Sequence, residues 1–149
     1  MTPTLFGRWQ TRLLLLATVG VLITLPFFFQ IIGPQFNRPE QAYIYFWILG
    51  YVAFFGLIWD VIYHKIQGFR WDSDWPGALQ LIAGIWEFVF VVCGTKIFGF
   101  LPIPLPKEEL PPEWLSIHYW SVWIAVYIVS QSIMRIIFIR WRFKGGQWL

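Results

Sequence analysis

Ala78-Leu79-Gln80-Leu81-Ile82-Ala83-Gly84-Ile85-Trp86-Glu87-Phe88-Val89-Phe90-Val91-Val92-Cys93-Gly94-Thr95-Lys96-Ile97-Phe98 is the stretch on which the fold turns. At about 1.5 Å of helical rise per residue it is long enough to cross a hydrocarbon layer roughly 30 Å thick. It carries one acid, Glu87, near its middle, and a carboxylate in that position needs a reason.

Three more windows have the same character: Leu13–Ile32, Ala42–Ile62 and Tyr119–Ile139. The chain has 58% hydrophobic and 13% charged residues and a mean hydropathy of +0.59, a composition suited to lipid rather than water. The reading is an all-α integral membrane protein: one domain over residues 1–149, with four transmembrane helices in a compact bundle. A signal peptide is rejected for the N-terminus, because the apolar run after Arg12 is a full span and no small-residue cleavage site follows it.

Lys and Arg give the orientation. Arg8, Arg12, Lys65, Arg70, Arg135, Arg140, Arg142 and Lys144 fall on one side, eight of the chain's eleven basic residues, while Arg38, Lys96 and Lys107 fall on the other. Both termini are therefore expected on the cytoplasmic side of a bacterial inner membrane, or the stromal side of a thylakoid-type membrane. The net charge of +3 is mostly a topology signal, and no nucleic-acid partner is expected. Trp9, Trp59, Trp71, Trp75, Trp141 and Trp148 mark the cytoplasmic interface, and Trp114, Trp120 and Trp123 the outer one.

Depth along the helices groups the polar residues. Glu87 lies roughly 13 Å and Gln131 roughly 12 Å from the cytoplasmic ends of their windows. With Ser130, Ser132 and Trp86 they form a predicted midplane cluster. Gln80, Gly84, Glu87, Val91 and Gly94 make a small and polar stripe on the third helix, and Ala53, Gly56, Asp60 and His64 a similar one on the second; these two stripes are expected to pack together. Glu87 has two readings: a protonated acid that fixes helix register through Gln131 or a serine, or a proton or cation site. Against the second stands the lack of another acid or a histidine at mid-depth.

Asp60 and Arg135, close in depth, are expected to form an interhelical ion pair, with separate snorkelling to the interface as the alternative. Arg8, Trp9 and Arg12 at one end, and Arg140, Trp141, Arg142 and Lys144 at the other, are expected to meet anionic lipid headgroups or a partner protein. No metal site or cofactor is expected. His64 and His118 lie at opposite interfaces, Asp60 with His64 lacks further ligands, and the loop Asp72-Ser73-Asp74 has no bidentate acid at the twelfth position of a calcium loop. Cys93 stands alone, which excludes an intrachain disulfide or a CxxC pair. The proline-rich loop from Gly99 to Ile117 reads as a stiff spacer or an acidic docking segment.

No catalytic constellation is present, so an enzyme is not expected. The leading functional expectation is a non-catalytic accessory or assembly subunit of a larger membrane complex or homo-oligomer. The alternative is a small proton- or ion-linked transporter, or a protein binding an apolar ligand, pigment or quinone, centred on Glu87.

Overall fold

A computed structural model describes residues 4–36, 39–69, 71, 75–97, 99, 110–138, 143, 145 and 147. Among these there are helices and no strand. Four helices are long and apolar enough to cross a membrane: α1 (Leu5–Phe28), α2 (Gln41–Gly68), α3 (Gly77–Lys96) and α4 (Pro112–Ile137). Helix α1 packs against α2 and α4, and α3 also packs against α2 and α4. The helices thus run round a square, with α1 and α3 on one diagonal.

Two helices begin well before the expected spans, and α2 runs six residues past Ile62 to Gly68. Helix α1 starts eight residues earlier than Leu13, where the Thr4 hydroxyl caps it by accepting from the Gly7 N–H at 3.1 Å. Helix α4 starts seven residues before Tyr119, with Pro112 in its first turn, where the missing N–H costs nothing. A hydropathy window stops at polar residues, but helical hydrogen bonding does not. Arg8, Arg12 and His118 therefore lie inside helices rather than at their margins.

Helix α1 stops early, at Phe28 rather than Ile32. Gln30 adopts a left-handed backbone (φ 56°), its N–H bonds to the Phe27 carbonyl at 3.1 Å, and the Ile31 N–H bonds to the Pro26 carbonyl at 3.0 Å. This is the Schellman closure usually built on glycine. Helix α4 is interrupted at Ser132 (φ −112°, ψ −82°). There Ser130 donates to the Tyr127 carbonyl at 2.7 Å and Ser132 to the Ile128 carbonyl at 2.6 Å, a competition with the helical ladder that bends helices.

The first helix also contains a π turn, Leu16–Gly20. A π turn holds one extra residue, which rotates everything after it. At about 100° per residue, Arg12 and Thr24 would differ by about 120° in an unbroken α-helix; with one residue absorbed they differ by about 20°. Both side chains consequently face the interior.

The interior is apolar toward one end, where Phe27, Ile44, Tyr45, Ile48, Val91, Leu115 and Tyr119 form the main buried cluster. Glycines admit neighbours at two places. A Cβ on Gly56 of α2 would collide with the Arg12 guanidinium, and one on Gly84 of α3 would collide with the Trp123 ring. Of the two small-residue stripes, Gly56 and Asp60 on α2 and Gly84, Glu87, Val91 and Gly94 on α3 are buried, whereas His64 is exposed. Gly56 receives a side chain from α1 and Gly84 one from α4. Gly50, by contrast, is exposed, with no atom within 4 Å of its would-be Cβ.

Gly56→Ala and Gly84→Ala are expected to destabilise by about 1–3 kcal/mol each through overpacking, whereas Gly50→Ala gains up to about 1 kcal/mol of helix propensity. Thermal unfolding in mild detergent tests this. Equal stability of the Gly56 and Gly50 variants would contradict the seating of Arg12 against α2.

Candidate functional site

Arg12 lies about 10 Å along α1 from Leu5, Asp60 about 12 Å from the Gly68 end of α2, and Glu87 about 15 Å from the Gly77 end of α3, at 1.5 Å per residue. The three meet. Arg12 Nε donates to Asp60 Oδ2 at 2.8 Å and Nη2 to Oδ1 at 2.9 Å. Arg12 Nη1 donates to Glu87 Oε2 and Nη2 to Oε1, both at 2.9 Å. One planar guanidinium thus presents two edges to two carboxylates and satisfies all four of their oxygens, the bidentate geometry in which arginine binds most strongly. Asp60 and Glu87 are 3% and 5% exposed. Charges this buried persist only when paired and hydrogen-bonded.

Arg12 joins three helices at once, and its link to Glu87 crosses the α1–α3 diagonal. A second cation stands nearby. Arg8, one helical turn before Arg12, donates from Nη2 to Gln67 Oε1 at 2.7 Å, lies 4.5 Å over the Trp75 ring, and is close enough to Asp60 for their charges to interact. Its Nε is buried and has no hydrogen-bond partner among the described residues.

Several expectations are corrected by this geometry. Asp60 pairs with Arg12, not with Arg135; Arg135 donates instead to Gln131 Oε1 of its own helix. Glu87 bonds to Arg12, while Gln131 donates to Gln80 Oε1 at 3.0 Å. Ser130 and Ser132 spend their hydroxyls on carbonyls of α4. Trp86 is 53% exposed and points away from the ionic centre, its ring edge-on to Trp59. Trp9 donates its indole N–H to the Leu57 carbonyl at 3.1 Å, so both it and Arg12 turn to other helices rather than to headgroups. Arg140, Trp141, Arg142 and Lys144 lie outside the described residues.

The triad borders a cavity of about 190 Å³ whose walls come from all four helices. Arg8, Trp75, Gln80, Gln131 and Arg135 line one end, and Leu16, Leu49, Val52 and Val122 form an apolar stretch. His118 lines the cavity too and is 1% exposed. The sequence alone gave no reason to bring it inside. Thr24 donates its single hydroxyl proton to the Gly20 carbonyl at 2.8 Å and lies 3.0 Å from His118 Nε2. Nε2 must therefore be the donor, which leaves Nδ1 of the neutral ring as a buried acceptor; it has no partner among the described residues. The expected lack of a second acid at the level of Glu87 is corrected. Asp60 shares the centre with Glu87, and His118 shares its cavity.

Comparison with known proteins finds no matching family model, no similar curated protein and no similar solved structure.

Arg12→Ala strands two buried carboxylates, and a loss of about 3–5 kcal/mol is expected in detergent unfolding. The triple variant Arg12→Met with Asp60→Asn and Glu87→Gln should regain part of it, since no stranded carboxylate remains, although Arg8 then loses the nearby charge of Asp60. If the triple variant is no better than Arg12→Ala, charge pairing is not what the centre contributes. Arg135→Gln should add to Asp60→Asn within about 0.5 kcal/mol, as independent sites do.

Proposed function

We propose that this is a small, non-catalytic, multi-pass membrane protein of the ion-linked carrier type, with Arg12, Asp60 and Glu87 as its exchangeable centre. The observation that carries this reading is that a single guanidinium satisfies two buried carboxylates at the wall of a cavity. Each carboxylate can leave Arg12 only if a proton or another cation takes its place, because bare charge in the membrane interior is costly. Binding a proton at Asp60 or Glu87 and releasing one helix from Arg12 are then a single event. Release of the centre would cost α1 its hydrogen bonds to Asp60 and Glu87, the kind of differential contact that coupling an ion to a conformational change requires.

The distribution of Lys and Arg supports an orientation with both chain ends and the Arg8–Arg135 end of the cavity on the cytoplasmic or stromal side. A bacterial inner membrane or a thylakoid-type membrane fits that charge bias. Intramembrane ionisable residues that face a cavity are by default candidates for ion pathways.

A second reading, an accessory subunit assembled on a larger membrane protein or on itself, draws on the outer face of α2. There Gly50 forms a notch between exposed Trp47 and Phe54, and small residues let a neighbouring helix approach closely. Purification from native membranes in mild detergent with stoichiometric larger subunits would favour this reading.

Carrier function is tested in liposomes loaded with a pH-sensitive dye and subjected to a pH jump. Wild-type protein should move protons faster than empty liposomes, and Glu87→Gln should slow that movement about tenfold or more, as loss of a relay acid does, while still eluting as folded protein. Wild-type rates equal to those of empty liposomes, or an unchanged Glu87→Gln rate, would reject the reading.

A further inference from the structure

The charges lining the cavity do not balance. Among the described residues its walls carry three guanidiniums, Arg8, Arg12 and Arg135, against two carboxylates, Asp60 and Glu87. Arg12 already occupies all four carboxylate oxygens. Positive charge is therefore left at the end where Arg8 and Arg135 stand. Arg8 also offers a buried Nε–H without an acceptor, although its Nη2 is bonded to Gln67 and its ring-facing side to Trp75. A buried donor without a partner in a cavity points to an acceptor that enters from outside.

We infer that this cavity binds a small amphipathic monoanion, its carboxylate or phosphate group held by Arg8 and Arg135 and its apolar part lying along Leu49, Val52 and Val122. The inference rests on the carrier reading of the same cavity and names its ligand class. The sign follows from the lining charge, since a single negative charge leaves the walls neutral whereas a cation would add to an excess already present. The guanidinium is suited to either oxyanion because its N–H groups match two oxygens at once. Size follows from volume. A cavity of about 190 Å³ exceeds the roughly 150 Å³ that holds a benzene ring, so an acid with about one ring or a short chain fits, and a tetrapyrrole does not. Such a headgroup is found both on soluble acids and on anionic lipids.

The test uses the full chain in an uncharged detergent and calorimetric titration with benzoate, benzyl alcohol and benzylammonium at equal ionic strength. Benzoate should bind best, and Arg135→Gln should weaken it about tenfold, the effect of losing one charge-assisted hydrogen bond. Arg135 is exposed and, among the described residues, bonds within its own helix, so this variant should fold; Arg8→Gln should weaken benzoate similarly, with Arg8→Lys retaining part of the affinity. Preferred binding of benzylammonium or benzyl alcohol would overturn the anion assignment and leave the cavity as a ligand site. No binding of any of the three would overturn both. In nanodiscs, weaker benzoate binding with phosphatidylglycerol than with phosphatidylcholine identifies a lipid headgroup as the competing occupant; equal binding identifies a soluble acid. Benzoate affinity unchanged in both Arg135→Gln and Arg8→Gln would reject the proposal.

Discussion

A guanidinium packed between apolar helices has to be neutralised and hydrogen-bonded, and the arrangement of α1, α2 and α3 answers that demand. Arg12 reaches both carboxylates only because α1 begins at Leu5, which carries the residue inward by about two turns, and because Gly56 leaves room for its side chain beside α2. The π turn then keeps the interior face of α1 continuous from Arg12 to Thr24. If Arg12 were turned toward lipid, Asp60 and Glu87 would be stranded and the inward rotation of α2 and α3 would lose its cause. Gly84, Tyr119 and Trp123 secure the remaining side. The Tyr119 hydroxyl donates to the Gly84 carbonyl at 2.9 Å, and the Trp123 ring stacks on Tyr127 while covering Gly84.

Much of this was legible in the residues. The four spans follow from hydropathy and length, because a membrane admits little else than helices, and the burial of Glu87 on the Gly84–Val91 face follows from its spacing. What could not be read was the direction in which each charge turns. Arg12 and Arg135 lie at similar depths near Asp60, and a depth count cannot choose between them. The choice depends on rotation about the helix axis, which the π turn, Gly56 and the break at Ser132 determine. His118 was misplaced for a simpler reason: the helix holding it starts at Pro112, in a polar stretch that a hydropathy window discards. Gln30 gave no helix-stop signal, since the left-handed turn it adopts is usually marked by glycine.

The polar groups of the cavity occupy three levels. Gln80, Gln131 and Arg135 lie at one end, the Arg12 centre follows, and His118 with Thr24 lies deepest, beyond an apolar stretch. By the spacing of Arg12 and Thr24 in α1, the last two levels are separated by about 18 Å along the helix. That is too far for a direct proton transfer between them, which requires hydrogen-bond reach or an intervening water. His118 is therefore a separate station rather than a partner of Glu87. Its Thr24 contact fixes the ring, and the bare Nδ1 is the acceptor that a water or a ligand hydroxyl would meet.

Stability alone is a poor reason for a buried centre of this kind. Hydrophobic residues of similar volume in place of a buried ion pair often leave a protein equally stable or more so, and exposed Trp86, Ile82 and Ile85 on the same helix show that α3 already has apolar surface in abundance. Arg12 serves both carboxylates at once, so removing any one of the three charges leaves another without its compensation. The proposed ion-linked role would use that dependence, because a proton taken up at Asp60 or Glu87 would compete for the hydrogen bonds that hold α1, α2 and α3 together.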